Sequence, residues 1–404
     1  MAKKAKFKVK GYLPDLISWF TLPKKRKAWI AAGNPNLDPT DPVADLAKRL
    51  HPGMIETEVV DIKQESATAR TFTLKSADKK PLPFHYAGQY MCIYPVVNGV
   101  TAPRPYAISS APLEAYEQGL IQFTLKKKPG GHVSEYLWNE VKVGSRLKID
   151  APHGELYYSA IRDSKHVVGI AGGSGITVFR SIIKDMPSSG RPEKLTLLYG
   201  SRNEEDILFK EELEALAAAS NGRVKIIHIL SEAGADWQGE KGFITADHIS
   251  RLIDDYQTAS FYVSGPTVLY AFMEKEFAKL NISRTRIRME SFGETPDITT
   301  HPTFPAQQAG KVYQITVKFV VEERVIQAKS TDTVVQALEQ ASLPIDTHCR
   351  SGSCGWCRSL LESGQVWQRP EGDGVRARDK DDGFFHPCSA YPMSDLVIRV
   401  YSQV

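Results

Sequence analysis

The spacing of the cysteines constrains this chain more than any other feature. Three of its five cysteines, Cys349, Cys354 and Cys357, stand close together, and Cys388 lies in a separate segment. The pattern is C-x4-C-x2-C followed by a distant cysteine, which is the spacing of plant-type [2Fe–2S] ligands. The sequence therefore predicts that these four thiolates hold a [2Fe–2S] cluster.

Two other uses of four cysteines stay open at this point. Structural zinc usually takes two closely spaced pairs of ligands, whereas here the fourth cysteine stands alone. Two disulfides would need an oxidising compartment, and nothing in the sequence indicates one. Gly352 and Gly355 fit a backbone that wraps a cluster closely. The fifth cysteine, Cys92, lies in an apolar run and is interpreted as a small core side chain.

Length and composition set broad limits. A chain of 404 residues has room for two to four domains. A net charge of +4 at pH 7 is small for this length, so charge alone does not indicate a nucleic-acid partner. We see no run of about 18 apolar residues and no signal-peptide core at the N-terminus. The expected location is the cytoplasm.

Residues 1–50 form a basic N-terminal extension. The first thirty residues contain nine Lys or Arg and one acid, Asp15. An apolar, aromatic stretch, Tyr12–Phe20, separates the basic clusters. Basic flanks around such a centre would suit an anionic membrane surface or an acidic partner. Alternatively, the segment packs on its own protein with solvated lysines. The turn-rich residues 34–42 are interpreted as a tether.

Residues 51–160 show short strands between turns, a pattern typical of an antiparallel β-barrel. Residues 129–137 place two glycines before a predicted helix. The free N–H groups at such a helix start, together with Ser134, would hold a phosphate.

Residues 161–293 alternate between apolar strands and helices, which predicts an open parallel sheet. The strand at residues 166–170 runs into the glycine turn Gly172–Thr177 and then a helix. This geometry places a pyrophosphate at a helix N-terminus.

A proline-rich linker is predicted at residues 294–310, followed by an α+β domain at residues 311–404. This last domain resembles a complete plant-type ferredoxin, which implies a β-grasp fold. Its helix is predicted over residues 333–341, with Asp332 as the N-cap.

The two preceding regions resemble the flavin and nucleotide domains of the ferredoxin–NADP reductase superfamily. Arg104 and Tyr106 match its R-x-Y-[ST] motif, although Ala107 replaces the final Ser or Thr. The resemblance implies that Arg104 holds a flavin phosphate, that Tyr106 packs on the flavin ring, and that the Ala107 backbone lies near it. The corresponding phosphate loop is Gly131, Val133 and Ser134.

The resemblance extends through the parallel-sheet region. Its nucleotide loop matches Gly172–Thr177, and its C-G-P turn matches Ser264–Pro266, with Ser264 in the cysteine position. Glu290 and Phe292 match the segment that approaches the flavin from the far side. The implied catalytic residues are Tyr106, Ser264 and Glu290. The implied nucleotide-binding residues are Gly172, Gly173, Gly175, Thr177, Ser201, Arg202, Gly265 and Pro266, with Phe292 beside the flavin.

The choice between NADH and NADPH stays open. Ser201 and Arg202 would suit a ribose 2′-phosphate, whereas Glu204 and Glu205 follow closely and would repel it.

The order of the modules predicts a function. A nicotinamide carries two electrons as hydride, a [2Fe–2S] cluster accepts one at a time, and a flavin does both. The arrangement resembles reductase components of multicomponent oxygenases, which implies an NAD(P)H-dependent electron-transfer reductase with a redox acceptor protein. FAD is expected rather than FMN, because the Gly131–Ser134 segment that opens a helix resembles the FAD-binding members of the superfamily more closely. The alternatives are a small-molecule acceptor, such as a quinone or ferric chelate, and a non-enzymatic redox sensor.

The side chains expected around the cluster are Arg350, Trp356 and Arg358. They are predicted either to lie where a partner docks or to shield the cluster from water.

Overall fold

The computed structural model divides the chain into two compact units, residues 1–49 and 50–404. The described residues are 11–33, 41–50, 52–78, 82–190, 193–290, 292–293, 297–370 and 373–401. The first ten residues of the basic extension, most of the predicted tether and residues 294–296 of the predicted linker therefore lie outside the description.

The first unit is helical, which the sequence did not lead us to expect. Its helices are α1 (Tyr12–Ala32) and α2 (Pro42–Leu50). Along α1 the large apolar side chains are exposed, including Trp19 at 77% and Phe20 at 70%. Among the described residues, no helix combines the length and the apolar character needed to cross a bilayer.

The second unit begins with the predicted antiparallel barrel. Its six-stranded sheet has the order β6-β3-β8-β1-β2-β7. The ring centroids of Tyr106 on β6 and Phe123 on β7 lie 5.0 Å apart, so the two edges meet and close the sheet. The elements of this part are β1 (Met54–Ser66), β2 (Ala69–Ser76), β3 (Tyr90–Tyr94), β4 (Val96–Val97), β5 (Val100–Thr101), β6 (Arg104–Ala107), β7 (Leu120–Lys126), α3 (His132–Asn139) and β8 (Arg146–His153).

A parallel six-stranded sheet follows, in the order β12-β11-β10-β9-β13-β14. Successive strands add first to one side of β9 and then to the other. Parallel sheets of this kind bind ligands where the strand order reverses, at the carboxyl end of the central strand. The elements are β9 (His166–Gly172), α4 (Ile176–Asp185), β10 (Lys194–Ser201), α5 (Lys210–Ala218), β11 (Val224–Leu230), β12 (Glu240–Lys241), α6 (Ala246–Leu252), β13 (Ser260–Ser264), α7 (Thr267–Lys279) and β14 (Ile287–Met289).

The C-terminal part is a mixed five-stranded sheet, β16-β15-β21-β17-β19, with a small second sheet, β18-β20. Its helix begins after Thr333, whose side chain accepts from the Gln336 N–H at 3.2 Å, so Thr333 rather than Asp332 is the N-cap. The elements are β15 (Val312–Lys318), β16 (Glu323–Lys329), α8 (Val334–Gln340), β17 (Ser359–Ser363), β18 (Val366–Gln368), α9 (Ala377–Asp381), β19 (Phe384–Phe385), β20 (Ala390–Pro392) and β21 (Leu396–Arg399).

The described part of the predicted linker is packed on the C-terminal domain. Ile298 and Phe304 are buried against Tyr391 and Trp367 of the second sheet. Apolar burial of this kind ties the segment to the domain that follows it.

Candidate functional site

A cavity of about 870 Å³ lies between the barrel and the parallel sheet. It brings together predicted residues from both regions. Thr124 and Lys126 of β7 also line its wall, and they were missed in the sequence because they belong to no recognised motif. The predicted site residues on its wall are Tyr106, Ala107, Gly172, Gly173, Gly175, Thr177, Ser201, Arg202, Ser264, Gly265, Pro266 and Phe292.

The nucleotide end of this cavity depends on close backbone approach. A Cβ added at Gly175 would lie 2.0 Å from the carbonyl oxygen of Ser264, so only glycine allows the loop after β9 to touch the turn after β13. The hydroxyl of Thr177 donates to the Ser174 carbonyl at 2.9 Å and fixes the loop. The resulting concave backbone at a helix start suits a pyrophosphate.

The predicted ribose end of the cavity carries both signs of charge. Arg202 donates from Nε to Asp206 Oδ2 at 2.6 Å, and Arg202, Asp206 and Ser201 all lie on the cavity wall. Asp206 was missed in the sequence, because it follows Arg202 by one helical turn outside the predicted motif.

The flavin end is only partly assembled around the cavity. Tyr106 and Ala107 lie on its wall, whereas the guanidinium of Arg104 is held by Glu339 at 2.8 Å. Gly131, Val133 and Ser134 lie where α3 begins, and Ser134 Oγ accepts from the Lys128 N–H at 3.2 Å. The phosphate-binding roles of Arg104 and of this loop stay predictions.

A second cavity, of about 860 Å³, meets the first at Phe292 and reaches Cys349 and Cys354. Glu290 lies on its wall, and burial raises the pKa of the Glu290 carboxyl to about 7. The hydroxyl of Tyr270 donates to the Glu290 carbonyl at 2.6 Å and accepts from the Gly265 N–H at 3.3 Å. Tyr270 thus ties the predicted nucleotide turn to the predicted flavin segment.

The four predicted cluster cysteines converge. The thiols of Cys354 and Cys388 hydrogen-bond to Cys349 and lower its pKa below the usual range, and Cys388 also bonds to Cys357. Backbone N–H groups of Ser351 and Cys354 donate to Cys349 Sγ, both at 3.4 Å. Three sulfurs from one loop and a fourth from Cys388, with backbone donors at Cys349, form the ligand set that a [2Fe–2S] cluster requires.

The loop that carries Cys349, Cys354 and Cys357, called the cluster loop, also contacts the barrel and the segment predicted to lie beside the flavin. The Gly293 N–H donates to the Cys349 carbonyl at 3.0 Å, and His348 Nε2 lies 2.8 Å from the Tyr94 hydroxyl. Burial lowers the pKa of His348 to about 4, which leaves a neutral imidazole stacked on Trp356 at 3.9 Å.

Comparisons with known proteins agree with this arrangement. Residues 56–158 match the oxidoreductase FAD-binding domain, residues 170–275 the oxidoreductase NAD-binding domain, and residues 319–393 the 2Fe-2S iron-sulfur cluster binding domain.

Relatives align over much of the chain. The glycine betaine monooxygenase reductase subunit of Pseudomonas aeruginosa is 26% identical over 84% of this chain and 93% of its own length. NADH-cytochrome b5 reductase 1 of Aspergillus terreus is 30% identical over 57% of this chain and 77% of its own. The structure of phthalate dioxygenase reductase matches with a TM-score of 0.62 and 20% identity, over 89% of this chain and all of that one.

The barrel, the parallel sheet and the four converging cysteines define a flavin- and nicotinamide-dependent oxidoreductase that carries its own ferredoxin domain. The chain belongs to the ferredoxin–NADP reductase superfamily. It is an NAD(P)H-dependent iron–sulfur flavoprotein reductase that uses FAD and a [2Fe–2S] cluster and passes electrons to a separate acceptor protein.

Proposed function

We propose that the acceptor is the oxygenase component of a multicomponent system. The position of the cluster loop carries this proposal. Cys349 and Cys354 both line the cavity that meets the predicted flavin site; Cys349 is buried, whereas Cys354 is also exposed at the surface. Electrons would then enter the cluster from inside the protein and leave it toward a docked protein.

The proposed roles follow the cavity walls. Gly172–Thr177 and Pro266 hold the dinucleotide, Ser264 lies beside the nicotinamide, and Tyr106 packs on the flavin ring. When bound, the flavin accepts hydride and gives up electrons singly, which is chemistry that the cofactor supplies. The protein aligns the two rings and excludes water from the contact between them.

Glu290 is proposed to handle the proton that accompanies electron transfer. Its carboxyl has a pKa of about 7 because it is buried, so either protonation state is accessible near neutral pH. Oε1 accepts the backbone N–H of Glu155, which orients the group.

The partner's footprint is proposed to include Trp356 and Arg358, which are exposed beside Cys354. Arg350 is left out of this footprint, because it is only 2% exposed, and its alternative predicted role of shielding the cluster from water stays a proposal. We also propose a reducing, cytoplasmic location, because thiolates that hold a cluster must stay reduced.

Cys349→Ser tests the serial path. The variant should lose NAD(P)H-dependent reduction of cytochrome c at least tenfold and keep reduction of ferricyanide, which accepts electrons from the flavin directly. Cys92→Ala, which alters a buried cysteine of the barrel, should keep both activities. Full cytochrome c activity in Cys349→Ser would contradict the path and favour a small-molecule acceptor reduced at the flavin.

We also propose that α1 binds an anionic membrane surface. Leu13, Ile17 and Phe20 share one helical face and are at least 58% exposed, and four basic residues follow at 24–27. Exposed apolar side chains beside a basic cluster suit binding to an anionic lipid surface.

Co-sedimentation with vesicles tests this role of α1. The full chain should pellet with phosphatidylglycerol vesicles, and an Ile17→Ser, Phe20→Ser variant should pellet at least fivefold less. Equal sedimentation of the two proteins would exclude an apolar anchor.

A further inference from the structure

Three charged side chains join the barrel to the cluster loop. The carboxylate of Glu339, on α8, accepts from Arg104 at 2.8 and 2.9 Å and from Arg350 at 2.8 and 3.0 Å. Glu339 is 7% exposed and Arg350 is 2% exposed. Because buried charges are tolerated only when paired, the three side chains hold one another in place.

Each arginine adjoins a different predicted cofactor site. Arg104 lies on β6, two residues before Tyr106 on the wall of the first cavity. Arg350 follows Cys349 directly, and its φ of 56° lies in the left-handed region that residues other than glycine rarely occupy. The pair with Glu339 therefore stabilises an unfavourable backbone conformation next to a cluster ligand.

The charges of the group also fit their surroundings. Two arginines and one glutamate leave one excess positive charge between a predicted flavin phosphate and a predicted four-thiolate cluster. Both of these neighbours are anionic. The bonds of Arg104 to Glu339 and to the Pro103 carbonyl use Nη1 and Nη2, and a guanidinium has a further donor at Nε.

We propose that Glu339 is a positioning residue that couples flavin binding to the conformation of the cluster loop. The proposal rests on the reductase function and extends it. An anion that draws Arg104 toward the flavin site shifts the carboxylate that also holds Arg350, so each cofactor site responds to the other.

Cross-site effects test the coupling in the purified holoprotein. Two variants, Arg104→Lys in the barrel and Arg350→Lys in the cluster loop, keep the positive charge but lose the bidentate hydrogen bond to Glu339. Glu362→Gln is the matched control, because Glu362 also pairs with two cations, Lys318 and Arg399, on the outer face of the same domain. Flavin release is followed by fluorescence, and the reduced cluster by EPR spectroscopy.

Arg350→Lys, although remote from the flavin site, should raise the dissociation constant of FAD about tenfold. Arg104→Lys should change the EPR spectrum of the cluster, Glu339→Gln should do both, and Glu362→Gln neither. Native FAD affinity in Arg350→Lys, or a native EPR spectrum in Arg104→Lys, would overturn the coupling. If the native chain itself bound neither cofactor, the reductase function would fail first, which keeps the two conclusions distinguishable.

Discussion

At the scale of single residues, Glu290 has the most unusual environment among the predicted catalytic groups. Its carboxyl is half-buried at the edge of the second cavity, where loss of solvation raises its pKa from 4.5 to about 7. In the unfolded chain the same carboxyl would ionise near its ordinary pKa. Folding therefore binds a proton between these two pH values.

This difference predicts a pH-dependent stability. As pH rises from about 5 to 8, the unfolded state loses its proton before the folded state does, so the free energy of unfolding should fall by about 3 kcal/mol. Glu290→Gln should remove that part of the decline, as measured by urea unfolding at several pH values. Glu274→Gln, which changes an exposed carboxylate on the same cavity, should leave it in place. An identical pH profile in the native and Glu290→Gln proteins would contradict the assignment.

Single residues also show what sequence can predict. The cysteine set was visible because cluster ligands obey a fixed local spacing. Glu339 was not, because its partners Arg104 and Arg350 come from two different segments and only the tertiary structure brings them together. The sequence likewise could not decide whether Arg350 docks a partner or shields the cluster, since nothing local shows that a charged residue after Cys349 is buried.

At the scale of elements, the loop between β9 and α4 determines how the nucleotide site is built. Gly175 lies against the Ser264 carbonyl, so the carboxyl ends of two neighbouring strands are in backbone contact. This closeness gives the loop its concave shape.

Gly175→Ala should therefore separate the loop from the turn. The added methyl would meet a backbone oxygen that cannot turn aside, and overpacking of this kind costs about 1–3 kcal/mol. The KM for NAD(P)H should rise about tenfold while the flavin content stays native. Gly234→Ala is the control, because a Cβ there meets nothing within 4 Å. An unchanged KM in Gly175→Ala would show that the loop can move without cost.

Elements were predicted where their pattern is local. Strand, glycine turn and helix repeat through the parallel sheet, and that periodicity is readable. The 21-residue helix α1 was missed, because its basic and apolar clusters were interpreted as surface features rather than as a helical pattern. The packing of Ile298 and Phe304 was also missed, since proline-rich composition predicts a connection and not what it contacts.

At the scale of the whole molecule, α4 holds the parallel sheet against the barrel. Arg180 Nη1 donates to the Ser109 carbonyl at 3.0 Å and to Gln122 Oε1 at 2.9 Å. Its Nε donates to Glu212 Oε2 at 2.9 Å. Ser181 donates to the Ser110 carbonyl at 2.7 Å. One helix thus contributes both to the nucleotide loop and to the domain interface.

Arg180→Ala should loosen this interface. It leaves Glu212 and two barrel acceptors without their donor, and loss of one partner from a largely buried pair costs about 3 kcal/mol. The thermal midpoint should fall, and the rate of flavin reduction by NAD(P)H should fall with it. Arg251→Ala, which breaks an exposed two-pronged pair with Glu240, should change little. Equal effects of the two variants would contradict a special role for Arg180.

The order of the three domains followed from the sequence, because each has its own pattern. Their interfaces did not follow, because contacts such as Arg180 with Gln122 and Tyr94 with His348 join segments that no local pattern relates. The order of the domains along the chain was therefore predictable, whereas the interfaces that set the distances between their predicted cofactor sites were not.

The unequal exposure of the four cluster cysteines has a consequence for how the holoprotein is made. Cys349, Cys357 and Cys388 are at most 3% exposed, whereas Cys354 is open to solvent. A protein that delivers preformed clusters works by exchanging ligands one at a time, so it would begin at Cys354. The three buried thiols would then receive the cluster in turn, and maturation would proceed from the surface inward through the face where the acceptor is proposed to dock.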